Sequence, residues 1–483
     1  MKLKDLLIGT RILECTADME LEIGSVAYDS RKVTPGGLFV AISGFATDGN
    51  RFIPMAMEKG AAAVVTAKKP EREVPYVLVD SDRMALAQIG ACFYGHPAEA
   101  MTMIGVTGTN GKTSSTLMLK QVLEKVLGTK VGLIGTMENL IGDEVVPTER
   151  TTPESFELQA LFARMRDAGC THVVMEVSSH AIALERVGGI HYDVAAFTNL
   201  TEDHLDFHKT MENYCDTKAQ LFSRCSKAVL NSDDAWFERI RPRVTAPMLT
   251  TSVRGEAGLY AKNAKLHADG ISFDAVYGGQ TAHVELSIPG KFTVYNALTA
   301  LGMALQLGIS LADAGKALAT VSGVRGRVEV VPTPGKPYTV LIDYAHTPDG
   351  LENVLTSVRD FCMGRLICVF GCGGDRDPIK RPIMGKIGVS LSDIAVITSD
   401  NPRTEAPMAI ISDILKGISE ADGKYVTIEN RIKAIHYALD IAQKHDIIVL
   451  AGKGHETYQE VCGVKHHLDE REVVAEYLSE MRN

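Results

Sequence analysis

The run Thr102–Thr113, TMIGVTGTNGKT, constrains this chain more than any other segment. A short apolar stretch ends in a glycine-rich turn. Lys112 and Thr113 then open a helix whose apolar face carries Leu119, Val122, Leu123 and Val126. Strand, glycine turn and helix start, in that order, make a phosphate cradle. Backbone N–H groups and the positive end of the helix face an anion, Lys112 adds a charge, and the Thr113 hydroxyl can serve Mg²⁺. The usual loop spacing would put a glycine at Val106, whereas here the glycines are Gly105, Gly108 and Gly111. A turn that binds nothing has no packing need for Lys and Thr directly after glycine, so a nucleoside triphosphate is the expected ligand.

The length, 483 residues, suits about three domains, and 45% apolar content suits a chain with a real core. The net charge of −10 argues against a nucleic-acid partner, although a local site can still be positive. The nine cysteines are dispersed, with no C-x-x-C pair, and read as reduced thiols of a cytosolic protein. Cys368 and Cys372 have no neighbouring Cys/His pair to complete a metal site and read as core thiols. Asp5, Arg11 and Glu14 interrupt the N-terminal apolar stretches, so no signal peptide is expected. No run approaches the ~20 apolar residues of a membrane span. A cytoplasmic, soluble protein with no membrane span is the expectation.

The fold class expected is α/β, with three domains over 1–98, 99–331 and 332–483. In the first, Gly37–Ser43, Ala61–Thr66 and Tyr76–Asp80 read as strands. In the second, strands at Met101–Val106, Thr171–Ser178, Val194–Leu200 and Lys227–Asn231 alternate with helices, the βαβ rhythm of a doubly wound parallel sheet. A β-like, glycine-broken segment over Gly258–Gly290 and a helix over Asn296–Leu307 follow. Val330–Pro337, VVPTPGKP, has linker chemistry. The rhythm then restarts at Thr339–Tyr344, Leu366–Phe370, Ile394–Ser399 and Ile447–Leu450, which predicts a second doubly wound, Rossmann-like sheet.

Ligands in such sheets sit beyond the carboxyl ends of the strands, and each polar cluster follows one of those ends. Glu176, in MEVSSH, stands where the sheet should meet a triphosphate. TEDHLDFH packs Glu202, Asp203, His204, Asp206 and His208 into one short run, which predicts Mg²⁺ coordination beside a phosphate loop. Lys218, in NYCDTKAQLF, reads as a surface lysine on composition alone. DYAHTP, GCGGDRDPIKR, SDNPR and AGKGHE end four strands of the third domain. Turn chemistry accounts for their Gly, Asn, Asp and Pro content but not for Arg376, Arg403 and Glu456. Arginines suit carboxylates and a glutamate suits an ammonium, so the implied ligand is zwitterionic, such as an amino acid.

Over essentially its whole length the chain resembles the Mur ligases, ATP-dependent amide-forming enzymes of peptidoglycan precursor synthesis. The resemblance is carried by DSRKVTPGGLFVAISG, GVTGTNGKT, RTTPE, MEVSSHA, NLTEDHLDFH, TKAQLF, GRVE, DYAHTPD, GCGGDRD, SDNPR and AGKGHE. It implies a first domain for the UDP end of the substrate, a central domain for ATP and a last, Rossmann-like domain for the incoming amino acid. On the matching positions it implies ATP contacts at Gly108, Thr109, Asn110, Gly111, Lys112, Thr113, Ser114, Asn296, Arg327 and Asp343. It implies contacts to a UDP-MurNAc-dipeptide, UDP-N-acetylmuramoyl-L-alanyl-D-glutamate, at Ser30, Thr151, Thr152, Ser178 and Arg186. Lys218 matches a lysine that the family carbamylates with CO2, which turns a cation into a carboxylate-like ligand. Mg²⁺ is then implied at Thr113, Glu176, His204 and carbamylated Lys218, with Lys112, Glu176, His204 and Lys218 catalytic.

Two positions depart from relatives: Arg150 where some have Asn, and Leu184 where some have Gln. In this family DNPR goes with meso-diaminopimelate, which implies contacts to it at Arg376, Asp400, Asn401, Pro402, Arg403, Gly452 and Glu456. The charges agree, since diaminopimelate has a second carboxylate at its far end and lysine has none. A charge left unpaired in a closed site costs on the order of several kcal/mol. The rival readings are the same ligase adding L-lysine, a folylpolyglutamate synthetase-like ligase, and a nucleotide switch without catalysis. A monomer with small-molecule substrates is expected.

Overall fold

A computed structural model describes residues 1–44, 47–148, 150–418 and 423–480. The chain divides into two compact units, Met1–Leu259 with Thr299–Ser310, and Tyr260–Leu298 with Leu311–Asn483. Among the described residues no helix is long and apolar enough to cross a membrane.

The first unit opens with a five-stranded sheet in the order Ile12–Cys15, Tyr76–Val79, Ala63–Thr66, Leu38–Ala41, Val26–Ala27. Its strands Leu38–Ala41 and Ala63–Thr66 are buried throughout and almost wholly apolar, as suits strands covered on both faces. The Ser81 side chain caps the helix Asp82–Phe93 by accepting from the Met84 N–H, and Ala85, Leu86 and Ile89 bury its inner face.

The second sheet of this unit runs Met248–Ser252, Cys225–Asn231, Tyr192–Phe197, Thr102–Thr107, Cys170–Glu176, Lys130–Ile134. All these pairings are parallel, and the ribbon Asn139–Ile141 and Glu144–Val146 adds an antiparallel edge. The phosphate-loop strand Thr102–Thr107 lies between Cys170–Glu176 and Tyr192–Phe197, so three chemistry-bearing loops leave the sheet side by side.

In the second unit the glycine-broken segment is a set of three strands, Leu259–His267, Gly270–Tyr277 and Gln280–Leu286, the last two a tight antiparallel hairpin. The helix expected over 296–307 spans Lys291–Gln306. The third sheet is ordered Glu329–Val331, Thr339–Asp343, Ile447–Ala451, Leu366–Phe370, Ile394–Ile397, Lys424–Thr427. All its pairings are parallel except the first. Cores on its two faces, around Leu341, Cys368 and Phe370 and around Val340, Ile448 and Leu450, account for the near-continuous apolar strands. The α/β class and the doubly wound third sheet are as the sequence predicts. Cys368 and Cys372 are buried core thiols as expected, and Cys372 packs on the Met384 sulfur.

One local reading needs correction. Val330–Pro337 is not wholly linker. Val330 and Val331 belong to an edge strand that pairs with Leu341 and Val340, and Pro332, without an N–H, ends it. Gly105 lies mid-strand, within the predicted strand, and no side chain fits there. A Cβ there would sit 2.8 Å from the Tyr192 ring and 3.2 Å from a Val177 methyl. Tyr192 is fully buried and cannot yield. Gly105→Ala is therefore expected to cost about 1–3 kcal/mol by overpacking, read as a lowered midpoint in urea unfolding with an unchanged slope.

Candidate active site

The loop after Thr107 is shaped by two glycines. Gly108 has φ +148°, and a Cβ on it would lie 1.9 Å from the Thr198 hydroxyl. Gly111 has φ +83° and caps the helix Lys112–Leu127, so neither position admits a side chain. The run 198–201 pins the loop from beside. Thr109 N donates to Asn199 O at 2.8 Å, Asn110 N to Asn199 Oδ1 at 2.9 Å, and Thr198 Oγ1 to Asn110 O at 2.6 Å. Lys112 Nζ folds back on the loop, donating to Gly108 O at 3.0 Å and Thr109 O at 2.8 Å. Ser114 follows half-buried in the first helical turn.

Thr113 and Glu176 meet as expected. Thr113 Oγ1 donates to Glu176 Oε1 at 2.8 Å, and Thr136 donates to the same carboxylate through its N–H at 3.0 Å and its hydroxyl at 2.9 Å. Glu176 is buried. Lys218 is also buried, and its Nζ donates to Gly108 O at 2.9 Å and lies 4.6 Å from the Tyr214 ring centre. Burial, reinforced by the Lys112 charge, holds its ammonium well below the ordinary lysine range. Composition alone would place this lysine on the surface, and the fold buries it.

The TEDHLDFH cluster does not converge. Glu202, Asp203 and Asp206 are exposed, and among the described residues no three His, Cys, Asp or Glu side chains form a metal group. His204 has left-handed backbone, φ +54°, and its ring stands edge-on to His180 at 4.8 Å and 6.2 Å from Tyr214. His208 turns inward and hydrogen-bonds Ser179 Oγ at 2.9 Å. Glu176, His204 and the Thr113 hydroxyl are side chains of types that can ligate Mg²⁺, whereas a protonated Lys218 would repel a cation.

The residues implied for the dipeptide end assemble around Glu176. Thr151 Oγ1 lies 3.0 Å from Thr136 Oγ1, and Thr152 Oγ1 donates to Glu176 O at 2.8 Å. Ser178 N donates to Thr152 Oγ1 at 3.3 Å, and Arg186 Nη1 to Thr152 O at 3.2 Å. Arg186 Nε pairs with Glu154 at 2.7 Å. Thr136 and Glu154 were missed by the sequence reading. Glu154 lay within the RTTPE run, and Thr136 follows a strand end, the one signal that could have found it. Ser30, on the short helix Ser30–Lys32, is buried against the Met55 sulfur.

In the second unit, Asn296 is buried in its helix. The Arg327 guanidinium lies 5.5 Å from the Tyr344 ring centre. Asp343, at a strand end, accepts from Val328 N at 2.9 Å and Ala345 N at 2.8 Å, and burial pushes its carboxyl up against the opposing pull of Arg327.

SDNPR and AGKGHE come together. Asn401 Nδ2 donates to Glu456 Oε2 at 2.8 Å, and Asp400 Oδ1 accepts from Asn401 N at 2.6 Å. Arg403, at φ +49° after Pro402, donates through Nη1 to Gly374 O at 2.8 Å and pairs through Nε with Glu460 at 3.3 Å. A Cβ on Gly373 would lie 3.0 Å from Arg403 Nη1 and 3.8 Å from Arg376 Cγ, so both arginines border one glycine gap. Arg376 is exposed. A Cβ on Gly452 would lie 2.5 Å from Asp400 Oδ2. The sequence reading missed Lys453 and Glu460, although Lys453 lay inside the AGKGHE run.

A parallel α/β sheet with this loop, a carboxylate at the next strand end and a buried lysine define a phosphate-loop enzyme. Three family models match: Mur ligase family, catalytic domain over residues 22–94; Mur ligase middle domain over 106–304; and Mur ligase, glutamate ligase domain over 326–454. The chain is 48% identical over 484 residues, covering 100% of both chains, to UDP-N-acetylmuramoyl-L-alanyl-D-glutamate--2,6-diaminopimelate ligase 1 of Clostridium acetobutylicum. It is 48% identical over 466 residues to the ligase of that name from Clostridium botulinum, covering 95% of this chain and 96% of the relative. A solved structure of a UDP-N-acetylmuramoyl-L-alanyl-D-glutamate--2,6-diaminopimelate ligase superposes with a TM-score of 0.76 at 30% identity, covering 100% of this chain and 99% of that one. The chain belongs to the Mur ligase family, and it is a ligase.

Burial, then the His180, Lys218 and His204 charges, push His208 down to about 4 from its ordinary 6.5. Its folded form therefore stays neutral where the unfolded form takes a proton. This contribution to stability is complete above about pH 6.5 and is lost as pH falls toward 4. Urea midpoints measured across that window should fall less steeply for His208→Gln than for the wild type.

Proposed function

We propose that the chain joins meso-diaminopimelate to the D-glutamate of UDP-N-acetylmuramoyl-L-alanyl-D-glutamate at the expense of ATP, through an acyl phosphate. The carrying observation is the arrangement at the strand ends of the third sheet: a Glu456 carboxylate held by Asn401, with Arg403 and Arg376 bordering one gap nearby. An ammonium and a carboxylate at the far end of one amino acid match that arrangement, whereas lysine has no far carboxylate to offer either arginine.

In this reading Gly108–Ser114 hold the phosphates of ATP, with Asn296, Arg327 and Asp343 as its further contacts. Ser30 serves the UDP end of the other substrate, and Thr151, Thr152, Ser178 and Arg186 its muramoyl-dipeptide end. Asp400, Pro402 and Gly452 shape the amino-acid site. A γ-carboxylate oxygen of D-glutamate attacks the γ-phosphorus, and ADP departs with the electrons of the broken P–O bond. Lys112 stabilises charge on the transferring group from the loop. The diaminopimelate amine then attacks the acyl carbon, loses a proton, and expels phosphate to leave the amide.

The Lys218 amine adds CO2 to give a carbamate and releases a proton to water, a step that its burial, by lowering its proton affinity, favours. Mg²⁺ bound by Thr113, Glu176, His204 and that carbamate would neutralise charge on the triphosphate. The working form is a cytoplasmic monomer, with domain limits near 98/99 and 331/332.

The test is mass spectrometry of the product from the UDP-linked dipeptide, ATP and either diamino acid. A tripeptide-mass product is expected with meso-diaminopimelate, and L-lysine should react at least 100-fold less efficiently. Preference for lysine, or ATP hydrolysis that needs no amine, would overturn the proposal. With ¹³C-bicarbonate, a carbamate carbon signal is expected in the wild type and absent in Lys218→Arg, whose turnover should fall at least 100-fold. An unchanged signal or turnover in that variant would remove the carbamate.

A further inference from the structure

Lys453 is a lysine with no exposed surface, 0%. The turn around it explains how it gets there. Gly452 has φ +115°, and a Cβ on it would strike Asp400 Oδ2 at 2.5 Å. Gly454 has φ +55°, and a Cβ on it would lie 2.6 Å from the Tyr344 Cβ and 3.0 Å from Gly326 O. With both flanking residues bare and left-handed, the backbone packs down tightly and the lysine between them points inward. The ammonium is directed toward Asn401 and Glu456.

There Lys453 Nζ donates to Asn401 Oδ1 at 3.1 Å, pairs with Glu456 Oε2 at 3.4 Å, and lies 4.0 Å from Asp400 Oδ1. It also lies 5.7 Å from the Tyr458 ring centre. It is therefore the cation set between two carboxylates, Asp400 and Glu456. Asp400 is fixed independently, by the N–H of Asn401 at 2.6 Å and by buried Arg431 at 3.9 Å. Glu456 is more exposed, at 15%, and apart from Lys453 its hydrogen bond among the described residues comes from Asn401 Nδ2. Without the Lys453 charge the two carboxylates would repel each other, and Glu456 is the one able to turn away.

We infer that Lys453 is a positioning residue: it holds the Glu456 carboxylate where the far ammonium of the diamino acid meets it, and it does so without touching that substrate. The inference rests on the reading of Glu456 as the ammonium acceptor. It separates this lysine from Lys112 and Lys218, which serve the phosphate side.

Steady-state kinetics of wild type, Lys453→Met, Glu456→Gln and the double variant test it. Lys453→Met should raise KM for meso-diaminopimelate at least tenfold, while KM for ATP and for the UDP-linked dipeptide stays within twofold. The double variant should be no worse than Glu456→Gln alone, because the lysine acts through that carboxylate. An unchanged amino-acid KM in Lys453→Met, equal losses for all three substrates, or additive losses in the double variant would each overturn the inference. Should Lys453→Met not fold, Lys453→Gln, which keeps a donor to Asn401 but no charge, carries the same comparison. A wild type that turns over no diamino acid would overturn the substrate reading itself, and the inference with it.

Discussion

One carbonyl organises the phosphate side of this protein. Gly108 O accepts from two lysines, Lys112 at 3.0 Å and Lys218 at 2.9 Å. Burial, and after it the Lys112 charge, lowers the proton affinity of the fully buried Lys218. The arrangement requires Gly108 to lack a side chain, because Thr198 occupies the space where a Cβ would stand. Thr198 and Asn199 in turn hold the loop by its backbone. The loop, the strand beside it and the buried lysine are thus parts of one constraint. The chemistry at Lys218 follows from the packing around Gly108, not from any property of the TKAQLF segment itself.

The readable part of the sequence was the part governed by local rules. Apolar runs of β-branched residues placed the strands that were read within three residues of their ends, although Lys130–Ile134, Met248–Ser252 and Lys424–Thr427 were not read, and the loop Gly108–Thr113 was legible because glycine, lysine and threonine have few other reasons to stand together. Long-range burial was not legible. Lys218 looks like any helical surface lysine until Gly108 is placed beneath it. The TEDHLDFH run shows the converse: its charges suggested a converging ligand set, yet most of them face solvent. Neighbours in sequence share a surface only where the backbone turns them together, and here the rings of His204, Phe207 and His208 turn toward His180. Gly105 was rightly placed inside a strand, but the need for glycine there was not legible, because Tyr192, on the adjacent strand, is far off in sequence.

The third sheet has a different logic. Its site residues come from separate strand ends, and their partners are mostly one another: Asn401 with Glu456, Arg403 with Glu460, Lys453 with Asn401. Recognition of a zwitterion needs charges held apart, and buried charges of opposite sign tend to collapse together. The hairpin Tyr458–Val461 and Val464–His467 resists that collapse. Arg403 N donates to Glu460 O at 3.0 Å and Cys462 N to Arg403 O at 2.7 Å, which ties the DNPR turn to the hairpin by backbone. Arg403 is thereby anchored through its main chain and its Nε, with its fork directed by something other than the ligand.

Backbone strain marks the same places. His204 and Arg403 both sit in the left-handed region that non-glycine residues avoid, at a cost of order 1 kcal/mol each. A simple turn would place glycine or asparagine there. Retaining histidine and arginine at such angles makes sense only if the side chain is wanted in that direction and the surroundings can hold it. The hairpin backbone holds Arg403, and the rings of His180 and Tyr214 meet His204 edge-on. Gly452 and Gly454 solve the opposite problem, since there the wanted side chain is the lysine between them and its neighbours must vanish. In each case the strained or bare position serves an adjacent charge, which is why residues chosen for turn geometry and residues chosen for chemistry alternate along AGKGHE and SDNPR.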